Sequence, residues 1–221
     1  MSRYSNPSGG QVVGLIDMYM DTFGYINNGF FVDIGAFDCI QWSNTHILAQ
    51  AGWSGIMVEP QPEMAEECME HLRSYPKVAL VQKAISNWRG KTSMRLAGSL
   101  STIDMDQVEL YRETPEFAHY FDGDGEHTLV DVIDTDTLLF AFATPIGFEI
   151  MSIDVEGSEM AVLDGFSIDK YKPQLVIVEA HEKWHDNMLP NATKINDYFD
   201  RAGYKKVYSD HINNIYRPKN A

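Results

Sequence analysis

Basic side chains are scarce in this sequence: 17 Lys and Arg stand against 32 Asp and Glu, a formal charge of −15 over 221 residues. Nucleic-acid affinity rests largely on Lys and Arg neutralising phosphates, so the balance argues against a broad phosphate-binding face. No nucleic-acid partner is expected, and a small neutral or cationic ligand fits better. Cysteine is scarcer still. Cys39 and Cys68 are the two present, with no C-x-x-C pair, so neither a disulfide framework nor a zinc cluster is indicated. Long apolar runs are missing too. The most apolar window, LLFAFATPIGF, is too short to span a bilayer, and MSRYSNPSGG lacks the apolar stretch of a signal peptide. No membrane partner is expected, and a cytoplasmic, reducing location follows. Internal repeats and low-complexity tracts are absent.

What remains is an ordinary globular composition, 44% hydrophobic and 22% charged. The length suits one α/β domain over residues 1–221 with a sizeable core and a small insertion. The chain is organised around residues 28–60, NGFFVDIGAFDCIQWSNTHILAQAGWSGIMVEP. Its pattern predicts a strand over Phe30 to Ile34, a turn opening on Gly35, a helix from about Ser43 to Ala51, and a strand ending at Glu59. That is a βαβ step of a doubly wound sheet, in which ligands bind beyond the carboxyl ends of the strands. Asp33 and Glu59 close the two strands, Glu59 where it can accept from ribose hydroxyls. A dinucleotide loop wants G-x-G-x-x-G for close approach to a pyrophosphate. Here Phe37 and Ile40 take the later glycine places. A nucleoside without a pyrophosphate, such as S-adenosylmethionine (SAM), demands less of that loop.

Along the chain, Gln11 to Phe23 carries apolar residues at helical spacing. PQPEMAEECMEHLRSY reads as a helix with Met64, Cys68 and Leu72 on one face. KVALVQKAI, residues 77–85, reads as one buried strand, and Lys91 to Leu96 as another. Residues from about 97 to 127 read as a loop or lid, with DGDG lacking the rest of a calcium loop. Leu129 to Val132 reads as a strand and Asp134 to Phe142 as a helix. Gly147 to Asp154 is a strand running into a helix that Ser158 can cap. Pro173 to Ala180 is a strand, Thr193 to Ala202 a helix, and two terminal strands surround Asp210 and His211. This alternation indicates a mostly parallel sheet with helices on both faces, closed by an antiparallel hairpin.

Several segments in register resemble the FkbM-type SAM-dependent methyltransferases. FFVDIGAFD resembles that family's VDIGANDG, and SNTHIL-x-x-x-GWSGIMVEPQP matches its S-N-T, G-W-x-G and E-P-x-P positions. SIDVEGSEMAVLDGF resembles its L-D-x-E-G-x-E-x-x-x-L-x-G-F, VIVEAH its strand-five end, and GYKKVYSD-x-x-x-x-IY its closing hairpin. The resemblance runs from about Gly29 to Pro218, with Phe37 in place of the usual Asn and Cys39 in place of the usual Gly. It implies a class I, Rossmann-like fold: a mostly parallel seven-stranded sheet, helices on both faces, and a C-terminal antiparallel hairpin. It also implies O-methylation of a hydroxyl on a sugar or other small metabolite. Asp33, Gly35 and Asp38 would then line the SAM loop, Glu59 would hold the ribose, and Lys83 and Ala84 would lie near the adenine. Ser43 and Asn44, at a helix N-terminus, would help bind the carboxylate end.

For the chemistry, Asp154, Glu156 and Glu159 leave one strand, while Glu179 and His181 leave its neighbour. Asp154, Glu156 and His181 are the candidate catalytic residues, with His181 suited to general-base work. Alternatively Asp154, Glu179 and His181 would hold Mg2+ or another divalent ion that lowers a hydroxyl pKa. Two rival readings remain: a non-catalytic nucleoside-binding module, and a zinc peptidase through HEKWH, residues 181–185. The peptidase lacks a third ligand downstream. Cys39 reads as ordinary packing.

Overall fold

Apolar runs and their breaks explain most of the architecture. The structure, a computed structural model, describes residues 15–24, 28–182 and 189–220. Helix α1 (Leu15–Phe23) precedes strand β1 (Phe30–Ile34), whose last four residues are buried. The first four residues of the helix expected from Gln11 lie outside the described residues. A short α2 (His46–Gln50) leads to β2 (Ser54–Val58), and α3 (Pro62–Leu72), with Pro at its first turn, leads to β3 (Val78–Val81).

The single strand expected over 77–85 divides here. Lys83 N donates to Val81 O at 3.0 Å, a tight turn that ends β3 and sends β4 (Ala84–Ser86) away from the main sheet. There β4 joins β5 (Gly90–Leu96) and β6 (Glu126–Asp134) in a separate three-stranded sheet ordered β4-β6-β5. Between β5 and β6 the expected loop contains α4 (Met105–Glu113). Asp104 caps it by accepting from Asp106 N and Gln107 N, and Val108 and Tyr111 bury against Phe121.

The chain then continues through α5 (Thr135–Ala141), β7 (Ile150–Ile153), α6 (Glu159–Asp164) and α7 (Ile168–Tyr171). It closes with β8 (Leu175–Glu179), α8 (Leu189–Arg201), β9 (Tyr204–Ser209) and β10 (Asn213–Pro218). Ser158 makes no side-chain cap for α6. Glu159 instead folds back to accept from Val155 N and Gly157 N.

The main sheet runs β3-β2-β1-β7-β8-β10-β9, parallel except where β10 pairs antiparallel with β8 and β9. This is the class I methyltransferase arrangement expected from the sequence. Alternate residues of each central strand face opposite layers. Val32, Ile34, Ile56 and Val58 pack with Leu139, Val162, Ile195 and Phe199, while Phe31 and Met57 pack with Tyr19, Leu48, Cys68 and Leu72. Burial on both faces explains why these strands read as continuous apolar runs. Chain order reverses between β1 and β7, so their carboxyl ends open a crevice at a topological switch point.

The cysteines depart from expectation. Cys39 and Cys68 form a disulfide, with Cα atoms 5.3 Å apart, and both are fully buried. It ties the loop after β1 to α3, two segments 29 residues apart that no local spacing marks as neighbours. The expectation of a reducing compartment drew on the lack of a disulfide, and the pairing removes that support. No helix of the described residues is long and apolar enough to cross a membrane.

Candidate active site

The crevice holds a cavity of about 310 Å³, of small-ligand size. Asp33, Gly35, Ser43, Asn44, Glu59, Lys83 and Ala84 all line it. Asp38 does not. Its Oδ1 accepts from Ile40 N and Gln41 N and so closes the turn, while its carbonyl bonds His71 Nδ1.

Glu59 is 3% exposed, and its two oxygens accept from Phe37 N at 2.9 Å and Gln61 N at 2.7 Å. One carboxylate thus joins the loop after β1 to the loop after β2, with lone pairs to spare. Phe37, Cys39 and Trp42 take φ of 50°, 66° and 62°, left-handed conformations that persist only where surrounding contacts hold them. The Glu59 bond and the disulfide supply such contacts, which is how the loop accommodates its departures from the family pattern. Asp33 is equally buried, and its Oδ2 accepts from Thr45 Oγ1 at 2.6 Å. It therefore anchors the loop as well as facing the cavity.

Ser43 and Asn44 behave differently from expectation. The helix begins at His46 rather than Ser43, and Ser43 Oγ accepts from Thr45 N and His46 N. Those amides are taken, so they do not form the expected anion site; Asn44 still lines the cavity. Sequence reasoning missed Gln61, Ser101, Thr102 and Phe117, which also line it, and favoured core packing for Trp42, which lines it too. Three come from the insertion, where the sequence carries no spacing to align them with β1. Ser101 Oγ donates to Gln61 Oε1 at 3.0 Å and so fastens the insertion to the loop after β2.

At the far end, Asp154, Glu156, Glu179 and His181 line the same cavity. Glu159 was expected beside them but is spent on backbone amides and on Asn191 Nδ2. The compact potential ligand set among the described residues is Glu156, Glu179 and His181, with donor atoms all within 4.8 Å of one another. That set differs from the expected trio in one member, Glu156 standing where Asp154 was expected. The reason is local geometry: Glu156 and His181 adopt φ of 54° and 47°, and Tyr111 OH from α4 donates to Glu156 Oε2. His181 Nε2 lies 2.9 Å from Glu179 Oε1. Burial, then the neighbouring carboxylates, hold Glu156 and Glu179 well above the usual carboxylate range. For HEKWH, His181 stands two residues after the end of β8, and Glu182 accepts from Lys206 and Asn214. Residues 183–188 lie outside the described residues.

Burial also pushes Asp33 and Glu59 up to about 7. An acid whose folded pKa exceeds its unfolded value stabilises the fold at low pH and loses that contribution as pH rises towards the folded value. For these two the window runs from about 4 to about 7. Going from pH 6 to pH 8 should cost roughly 1 kcal/mol for each carboxyl, and the two together about 4–8 °C in Tm for a chain of this size. Melts of ligand-free protein at the two pH values check this. An equal or higher Tm at pH 8 contradicts it.

The family model of the methyltransferase FkbM domain matches residues 33–206, from the end of β1 into β9. The chain belongs to the FkbM methyltransferase family. The resemblance carried by the SIDVEGSE and VEPQP segments is therefore that of a member, and the activity class is methyl transfer. A search of curated proteins finds no match. Among solved structures, the chain is similar to precorrin-6y C5,15-methyltransferase from Geobacter metallireducens GS-15. The identity is 9%, the TM-score is 0.47, and 97% of this chain and 92% of that one are covered. It is also similar to WbdD, a bifunctional kinase-methyltransferase, at 13% identity and TM-score 0.48. That match covers 91% of this chain and 37% of WbdD. Both are likenesses of fold. FkbM membership implies SAM as the methyl donor. The residues present fit it: a nearly buried carboxylate with lone pairs to spare closes β2, and the loop after β1 needs no pyrophosphate-binding glycines.

Proposed function

We propose that this FkbM methyltransferase transfers a methyl group from SAM to a hydroxyl of a sugar or other small metabolite. The observation that carries this reading is one continuous cavity lined by Glu59 at one end and by Asp154, Glu156 and His181 at the other. Bound SAM supplies an electrophilic methyl group on a sulfonium centre. Glu59 accepts from the ribose hydroxyls, Lys83 and Ala84 border the base, and Asp33, Gly35 and Asn44 shape the pocket for the methionine end. The insertion carrying Ser101 and Phe117 covers the opening and keeps water out, which favours in-line alignment of the reacting groups.

At the acceptor end the hydroxyl oxygen must lose its proton as its new bond to carbon forms. Asp154, Glu156 and His181 receive that proton, with Glu179 Oε1, 2.9 Å from His181 Nε2, holding the ring. The surplus of carboxylates suits a neutral or cationic acceptor and repels anionic ones.

Calorimetry tests the cofactor half. Wild-type protein should bind SAM with one site. Glu59→Ala should weaken it roughly 10- to 100-fold, the worth of one hydrogen bond to a charged acceptor. A Tm within a few degrees of wild type would show the loop still folded. Unchanged affinity in the folded variant would remove Glu59 from the ribose.

A further inference from the structure

We propose that Glu156, Glu179 and His181 bind one divalent transition-metal ion, of the Mn2+ or Zn2+ kind, at the acceptor end of the cavity. Two carboxylate oxygens and an imidazole nitrogen converge there, all within 4.8 Å of one another. Adjacent donors around a metal with bonds of about 2.1 Å stand about 3 Å apart and opposite donors about 4.2 Å. His181 Nε2 and Glu179 Oε1 already stand at 2.9 Å, so that pair need not move, while a separation as wide as 4.8 Å must close by about 0.6 Å for opposite donors or about 1.8 Å for adjacent ones.

A second observation points to a ligand. Glu179 is 4% exposed and lines the cavity, its Oε2 buried without an N–H donor and its carboxyl set against that of Asp154. Crowded buried carboxyls either keep their protons or pair with a cation. The protein provides little else. Lys83 is the one Lys or Arg among the residues lining the cavity, and it leans towards Asp131 at 3.8 Å.

The donor set chooses the ion. Mg2+ demands near-ideal oxygen octahedra and keeps several waters, whereas imidazole mixed with carboxylate suits first-row transition ions. Three protein ligands leave a position open, where an acceptor oxygen could bind and lose its proton more readily. That catalytic role rests on the hydroxyl-methylation reading, although the binding itself does not. With Glu156 and His181 engaged, Asp154 is the carboxylate left to take the proton.

Mn2+ titration of chelator-treated protein, followed by the paramagnetic resonance of the free ion, tests the site. SAM affinity and Tm are measured on the same samples. One equivalent of Mn2+ should bind below millimolar concentration, in competition with Zn2+. Glu179→Gln and His181→Asn should each weaken uptake by roughly tenfold or more, and using both guards against one failing to fold. If wild type binds SAM but takes up neither ion at millimolar concentration, the inference falls and the proposed function stands. If both folded variants keep wild-type uptake, the ion sits elsewhere and the inference likewise falls. Uptake lost in the variants, in a protein that never binds SAM, upholds the metal site and overturns the proposed function.

Discussion

Replacing Gly35 with alanine should leave little folded protein. Gly35 has φ +89°, and a Cβ placed on it would coincide with the backbone carbonyl oxygen of Asp154. Neither side can yield. Gly35 N donates to Val58 O at the end of β2, and Asp154 N donates to Ile34 O at the end of β1. Both residues are therefore fixed by three central strands. A backbone clash of this kind belongs with the exceptional substitutions costing more than about 4 kcal/mol, a large share of the 5–15 kcal/mol that holds a typical domain together. Soluble yield should collapse, or Tm should fall by about 10 °C or more. Gly52→Ala is the control. Gly52 also has positive φ, at +84°, but a Cβ there meets nothing within 4 Å. Its variant should lose only about 1–2 kcal/mol. If Gly35→Ala melts like wild type, the close approach of β1 and β7 at the floor of the site is wrong.

Reducing the Cys39–Cys68 disulfide should have the second largest effect. The bond closes a loop of 29 residues between the β1 loop and α3. Loop-closure entropy assigns such a crosslink about 3–4 kcal/mol, and hence about 7–14 °C of Tm. The consequence extends to function, because Cys39 stands two residues after Phe37, whose amide is bound by Glu59. Melting with and without dithiothreitol, with thiol counting to show that the bond opened, measures the effect. SAM affinity should weaken in the reduced protein. A fully reduced protein with unchanged Tm would contradict the crosslink's part in holding the loop.

The sequence made the main sheet legible because its strands are buried on both faces and so stand out as apolar runs between turns. FFVDI, SGIMV and LVIVE emerge almost at their true limits. The failures have physical causes. KVALVQKAI is apolar throughout, so nothing in its pattern marks the turn at Lys83 where the chain changes sheets. The α4 helix carries a readable cap, Asp104 followed three residues later by Gln107, but its weakly amphipathic surface gives little helical period. At the site, strand-end acids were legible by position alone. Whether each acid serves the cavity or the backbone was not: Asp38 and Glu159 went to amides, while Glu156 turned inward on a left-handed backbone. Tyr111, which bonds Glu156 across 45 residues, had no local signal. Nor had the partner of Cys39.

The most direct measurement is a crystal structure of the protein with S-adenosylhomocysteine. The account predicts ribose hydroxyls on the Glu59 carboxylate, the base beside Lys83 and Ala84, and the sulfur directed towards Asp154, Glu156 and His181. A ligand bound outside this cavity, or bound within it with its sulfur turned away from that cluster, would contradict the account.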